Sequence, residues 1–257
     1  MDLFHVVSLL IAGVLGGTIS TVIGGASIIT FPALLATGIP PVTAVISNTV
    51  ALVPGNLVAT VYDRAQLPPL GRSFVRLVAA SVCGALMGAV LLLLTPERAF
   101  EILVPLLLGF ATVLFAYSPR IAAWMRSRSP VKAEPKVHRW SQSLGALLPV
   151  SIYGGYFGAG VGVLVLGVLS IGTGGDYRST NVLKNLVVFL NSLMASVFFA
   201  VRGSVAWPQT LTMMVGVLVG AVLGARIAQV LPNDWARGMV IILGFVLTVI
   251  YAWRYWF

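Results

Sequence analysis

The sequence predicts an all-α, polytopic membrane protein made of two inverted-topology repeats. Each repeat is a Gly-broken, hairpin-like segment followed by three transmembrane helices, roughly eight to ten helical segments in all. Three observations carry this: composition, an internal repeat, and the placement of the cations. The 257 residues are 58% hydrophobic and 9% charged, with a mean hydropathy of +1.00. Apolar runs of about 20 residues, the length that crosses a bilayer core, recur from end to end. A soluble chain of this size carries about a quarter of its residues as charges, so an ordinary enzyme core is excluded. The net charge of +9 would suggest nucleic acid in a soluble protein. Here most cations fall in the breaks between apolar runs and read as topology signals, so the expected partner is the lipid bilayer and not nucleic acid. The single cysteine, Cys83, lies inside an apolar run and rules out an intrachain disulfide or a redox pair. The N-terminus, MDLFHVVSLL, lacks a basic n-region, so no cleaved signal peptide is expected.

The halves align at an offset of about 135 to 138 residues. The glycines from Gly16 to Gly25 pair with those from Gly154 to Gly162, and Asn48 falls opposite Asn185. Gly84 and Gly88 fall opposite Gly220 and Gly224, Pro96 opposite Pro232, and Gly109-Phe110 opposite Gly244-Phe245. In order along the chain, residues 3–39 form the first broken segment and 42–62, 74–94 and 99–117 three spans. A basic linker follows, then a second broken segment over 143–175 and spans over 182–201, 210–230 and 236–256. The expected domains are therefore a first membrane repeat (1–117), a linker (118–142) and a second repeat (143–257). The linker carries Arg120, Arg126, Arg128, Lys132, Lys136 and Arg139, which places it in the cytoplasm by the positive-inside rule.

Repeat parity follows from the cations. If each broken segment enters and leaves on one side, only Arg98, Arg202 and Arg254 of the 16 Lys and Arg residues lie outside. With eight full spans, Arg98, Arg178, Lys184, Arg226 and Arg237 would. The first arrangement, which inverts the repeats, is preferred, and two full crossings per broken segment would give the same sidedness.

Discontinuous helices at matching positions of inverted repeats point to a secondary transporter with its substrate near the midplane. Irregular backbone at membrane depth is tolerated only where it is buried in protein or lines a wet cavity. The stretch GGASIITFP therefore reads as a site: Gly24 and Gly25 turn the chain, and a helix starting near Ala26 and Ser27 aims free N–H groups at an anion. The second copy spans Gly158, Gly160 and Gly162, with Gly167 where the first half has Pro32. The Gly13/Gly17, Gly84/Gly88 and Gly216/Gly220/Gly224 pairs read instead as helix-packing surfaces, and such pairs also permit a homodimer.

Polar residues within spans are costly unless partnered or used. Asn48 and Asn56 lie on the first span after the opening break. Asn181, Lys184, Asn185 and Asn191 lie on its counterpart. Lys184 is the candidate fixed charge facing an anion, the alternative being a lysine that snorkels to the cytoplasmic interface. Arg64, Arg72, Arg178 and Arg226 read as interface anchors. All seven acids (Asp2, Asp63, Glu97, Glu101, Glu134, Asp176 and Asp234) fall at termini, loops or span ends. That argues against a cation exchanger, and without paired carboxylates, a metal cluster or a nucleophile–base pair no enzyme, metal site or cofactor is expected.

At these residues the sequence resembles the TauE/SafE family of anion permeases, the sulfite exporter or toluene sulfonate uptake family. The first half, IGGASIITFPALLATGIPPVTAVISNT, is similar to the family's Gly-rich turn, proline and short Gly-Pro loop. FGAGVGVLVLGVL and NVLKNLVVFLNSLMASVFFAVRGSVAW are similar to its second glycine run, Lys/Asn-bearing helix and terminal Gly-x-x-x-Trp signal. Ala26, where a third glycine is common, and the missing second proline depart from the pattern. The resemblance implies movement of sulfite, sulfonates or related organic anions across the bacterial inner membrane. It supports Gly24, Gly25 and Pro32 as one turn, Gly158 to Gly162 as the other, and Asn48, Lys184, Asn185 and Asn191 as lining residues. The expected function is alternating-access permeation of such an anion, with export the expected direction. A non-transporting scaffold subunit that binds a partner through the linker, and an anion channel, are the competing readings.

Overall fold

The computed structural model describes residues 2–22, 25–62, 64–67, 71–127, 137–173, 177–227 and 233–256. Among these it contains ten α-helices and no strand. The first half holds α1 (Leu3–Val22), α2 (Ser27–Leu35), α3 (Pro41–Tyr62), α4 (Arg72–Leu94) and α5 (Glu97–Ser127). The second holds α6 (Val137–Tyr156), α7 (Val161–Thr173), α8 (Tyr177–Arg202), α9 (Trp207–Ile227) and α10 (Asn233–Trp256). Seven of them, α1, α3, α4, α5, α8, α9 and α10, are long and apolar enough to cross a membrane. At 1.5 Å per residue, the nine residues of α2 reach about 13 Å and the thirteen of α7 about 20 Å, short of a hydrocarbon core of about 30 Å. Each broken segment is therefore a long helix turned back into a short one.

Helix boundaries follow local chemistry. Pro41 opens α3 at a position where its missing N–H costs nothing, and the Glu97 carboxylate accepts the Val42 N–H at 2.8 Å, opposite the positive end of α3. Pro32 does not turn the chain: it sits inside α2, which runs on to Leu35. Its missing N–H removes a single intrahelical bond near the start of a short helix, and the turn falls on Gly25 instead. Past Tyr117, α5 continues through Pro119 to Ser127, and α6 begins at Val137, so helix extends into both ends of the basic segment between the halves.

Small residues set which helices meet. Gly13 of α1 lies against Met213 and Gly216 of α9, Gly17 against Val217 and Ala221, and Gly224 against Thr18, so α1 and α9 run parallel. Gly84 and Gly88 of α4 meet Leu148, Ser151, Ile152 and Tyr156 of α6 in the same sense. A methyl at Gly220 would strike the Val14 backbone, and one at Gly88 the Ile152 carbonyl. The glycine pairs thus act as packing surfaces within the chain. Other helices run oppositely: Gly109 faces Thr248, Gly244 faces Thr112, and Trp256 Nε1 donates to the Ile102 carbonyl, which makes α5 and α10 antiparallel. The α1–α9 contact has its counterpart in α6–α4, α3–α9 in α8–α4, and α2–α10 in α7–α5, while α3 packs on α8 and α5 on α10.

Burial is graded from the centre outward. The apolar window of α3 is 61% buried and that of α10 only 17%. Exposed residues such as Ile11, Leu15, Val90, Leu91, Phe110, Val215, Phe245 and Trp253 give the outside an apolar surface suited to lipid. The polar residues lie at the centre, on α3 and α8, where Asn48, Lys184, Asn185 and Asn191 are all buried.

Candidate functional site

A cavity of about 60 Å³ lies where the start of α2, the turn between α6 and α7, and the middles of α3 and α8 converge. Of the residues singled out from sequence, Gly25, Ala26, Ser27, Asn48, Asn56, Gly158, Gly162, Lys184 and Asn185 line it. Gly24 lies outside the described residues. Gly160 stands in the second turn but packs toward Ala111 of α5. Asn181 is half-buried and off the wall, although three residues from Lys184 on the same helix. Asn191 lies on the wall of a smaller adjoining chamber of about 20 Å³, together with Thr49 and Ser192.

The first break is organised by Asn48. Gly25 has φ of +99°, the left-handed region open to glycine, and a Cβ there would come within 2.6 Å of the Phe115 ring. The chain then enters α2 with Ala26 and Ser27 at the cavity wall. The Ile28 and Ile29 N–H groups bond back to the Gly25 and Ala26 carbonyls, so the donors that this positive helix end can offer are the N–H groups of Ala26 and Ser27. Thr30 Oγ1 donates to Asn48 Oδ1 at 2.6 Å, and Asn48 Nδ2 donates to Ser27 Oγ at 3.1 Å. These bonds fix the N-terminus of α2 against α3 and leave the Ser27 hydroxyl proton to point elsewhere. Deeper along α3, Ser20 Oγ of α1 donates to Asn56 Oδ1 at 3.3 Å, which turns the Asn56 amide nitrogen away from α1.

The second break is apolar. Gly158 and Gly160 have φ of +77° and +76°, and Tyr153 Oη donates to the Ala159 carbonyl at 2.6 Å, tying the turn to α6. Phe157 lines the cavity and meets Phe31 of α2 edge-on, ring centroids 5.2 Å apart, with Phe100 of α5 behind it at 6.4 Å. Phe157 thus joins the cavity wall to a buried aromatic cluster.

Lys184 is the charged member of the described lining. Its side chain is 2% exposed, and Nζ has no hydrogen-bond partner among the described residues. It does not snorkel. An ionised ammonium out of water costs several kcal/mol unless a charge or strong acceptors compensate it. Asn48, Asn56, Asn185, Ser27 and Ser192 surround the same space and add neutral donors, with Ser20 bonded to Asn56 at its edge. The arrangement can hold one small anion between an ammonium, amide and hydroxyl groups and a helix N-terminus.

Ser20, Thr49, Phe157 and Ser192 belong to the cavity but were not legible in the sequence, because helical Ser and Thr ordinarily bond back to their own helix, as Thr49 does to the Val45 carbonyl. Asn191 is also a joint between helices: it bonds to Ser81 of α4 at 2.7 Å and to Ser151 of α6 at 3.4 Å, and the two hydroxyls lie 2.7 Å apart.

Apolar helices around a cavity that holds a buried lysine and asparagines, with two broken helices meeting at it, define a membrane protein of the transporter class. Comparison with known proteins agrees. The profile described as "Sulfite exporter TauE/SafE" matches residues 9–251, and the chain belongs to this family. It is 26% identical over 240 residues to a "Probable membrane transporter protein" of Haemophilus influenzae, covering 92% of this chain and 90% of the relative. It is 27% identical to the "Probable membrane transporter protein ORF9" of a Sinorhizobium species, covering 96% and 92%. For the "Probable membrane transporter protein YfcA" of Escherichia coli the figures are 24%, 93% and 87%. No solved structure matches the chain.

Proposed function

We propose that this multi-pass membrane protein is a permease that carries a small sulfur-containing or organic anion, such as sulfite or a sulfonate, out across the bacterial inner membrane. The observation that carries the reading is the buried Lys184 ammonium, without a hydrogen-bond partner among the described residues, in a cavity that it shares with amides, hydroxyls and a helix start. The family description supports the sulfur oxyanion class. The opposed helix directions support inverted repeats: α1 runs with α9 and α4 with α6, whereas α5 and α10 run against each other. Movement of the two halves against each other then exposes the cavity alternately to each side. The segment 118–142 lies in the cytoplasm on this topology, by its cations. A monovalent anion leaving a negative interior gains about 2.3 kcal/mol per 100 mV, enough to drive export without a coupled ion.

Purified protein, screened by thermal shift against sulfite, sulfate, thiosulfate, sulfonates and carboxylates, is expected to be stabilised by a sulfur oxyanion. The same anion is expected to move saturably through proteoliposomes, and Lys184→Ala to weaken both effects strongly with the fold retained. A preference confined to carboxylates would overturn the substrate class. Saturable flux of that anion is expected of a carrier and not of an open channel. Unsaturable flux would point to the channel.

A further inference from the structure

Resting on that reading, we infer that the site selects its cargo by charge number: it takes a monovalent anion, the loaded carrier is electrically neutral, and the return of the empty carrier moves the charge. Among the described lining residues Lys184 is the ionisable one, and no carboxylate shares the cavity. Asn48, Asn56, Asn185 and the serines add dipoles but no charge. One negative charge therefore neutralises the site. A dianion leaves an uncompensated charge in a buried space, and a neutral or zwitterionic solute leaves the ammonium unpaired. Size agrees: a cavity of about 60 Å³ has room for a few waters. That suits a compact anion.

The consequence is kinetic. When a monoanion crosses bound to Lys184, the membrane potential does no work on the loaded step. When the empty carrier returns inward, its positive charge moves toward the negative interior and the potential speeds it. Self-exchange of a monoanion uses only the loaded step, whereas net efflux uses both.

Methanesulfonate and sulfate test this, because both are tetrahedral sulfur oxyanions of nearly equal size and differ in charge. In proteoliposomes of the full chain clamped with potassium and valinomycin, methanesulfonate self-exchange is expected to be the same at zero and at about 100 mV, while net efflux rises severalfold. Sulfate is expected to move at least about tenfold more slowly than methanesulfonate. Lys184→Gln is expected to make the residual methanesulfonate exchange voltage-dependent, and Lys184→Arg, which keeps the charge, to leave it voltage-independent. Should the glutamine variant fail to fold, the wild-type and arginine measurements decide alone. Exchange by the wild type that follows the potential, or sulfate carried as fast as methanesulfonate, would overturn the inference and leave the permease reading standing. If methanesulfonate, sulfate and sulfite neither bind nor move, the permease reading falls and takes the inference with it.

Discussion

The two breaks, at residues 25–26 and 157–160, use the same backbone device for different ends. Both turn a long helix back into a short one through glycines with positive φ, and both face the same cavity. The first is polar: Ser27 and Thr30 are held to Asn48 by side-chain hydrogen bonds. The second is apolar, fixed by one tyrosine hydroxyl and an aromatic cluster. The asymmetry extends to the helices that follow. Asn48 matches Asn185 in the repeat, so Ser47 matches Lys184. Ser47 Oγ accepts the Ala206 N–H at 3.0 Å as an ordinary structural bond, whereas Lys184 has no such partner. One half thus supplies a helix start held to Asn48, and the other supplies the charge, with asparagines and serines from both on the wall. A repeat constrains backbone geometry while leaving side chains free to divide the chemistry.

The sharpest way to break this comparison is to test Lys184 and Ser47 side by side. Lys184→Ala removes charge-assisted hydrogen bonds of about 1.5 to 3 kcal/mol, so anion flux in proteoliposomes should fall by roughly tenfold to a hundredfold. Ser47→Ala should leave flux within about twofold and cost about 1 kcal/mol of stability. Equal losses from both would mean that the halves contribute alike.

Next in size are the turns. Gly25→Ala adds left-handed strain and a clash with Phe115, and should cost about 2 to 3 kcal/mol, read as a lower melting temperature in detergent. Asn48→Leu removes two buried bonds and should destabilise by about 2 kcal/mol while weakening anion binding. Gly160→Ala adds strain alone, since its Cβ would meet Ala111 at an ordinary 3.5 Å, and should cost about 1 kcal/mol. A larger cost at Gly160 than at Gly25 would show that Phe115 yields readily and that the second turn is the stiffer one. The smallest effect is expected from Tyr153→Phe, which loses the bond to the Ala159 carbonyl: about 1 kcal/mol by thermal melting, with binding unchanged. Lost binding in that variant would show that the second turn touches the anion more directly than its apolar character suggests.

Much of the architecture is legible along the chain, because hydropathy and helix breaking are local. The six spans expected after the broken segments coincide with α3, α4, α5, α8, α9 and α10 to within a few residues, except that α5 runs on past Tyr117 to Ser127. Arg120 and Arg126 lower the mean hydropathy there, but the residues between them, Ile121, Ala122, Ala123, Trp124 and Met125, include no helix breaker. Falling hydropathy therefore marks the end of a membrane span without marking the end of the helix.

The site is legible in part. A lysine and asparagines inside apolar runs stand out by type, and they include Asn48, Asn56, Lys184 and Asn185 on the cavity wall. Asn181 and Asn191 stand out equally, but a position three residues along a helix faces a different neighbour once the helix is packed. The partners of Asn191, Ser81 and Ser151, lie 110 and 40 residues away in the chain. Ser20 enters the site only because α1 lies alongside α3 and brings it to Asn56.

By itself, the sequence determined that the chain lives in a membrane, that glycines break its helices in each half, and which lysine falls within an apolar run. Each of these is a matter of residue type and spacing within a single segment. The tertiary structure alone decided that α1 pairs with α9 and α4 with α6, that the two breaks face one cavity, and that Lys184 is buried there without a hydrogen-bond partner among the described residues. Lipid is as apolar as the helix surfaces, so hydrophobicity does not choose among helix partners; close packing of small residues far apart in the chain does, and that fit exists only once the helices have met.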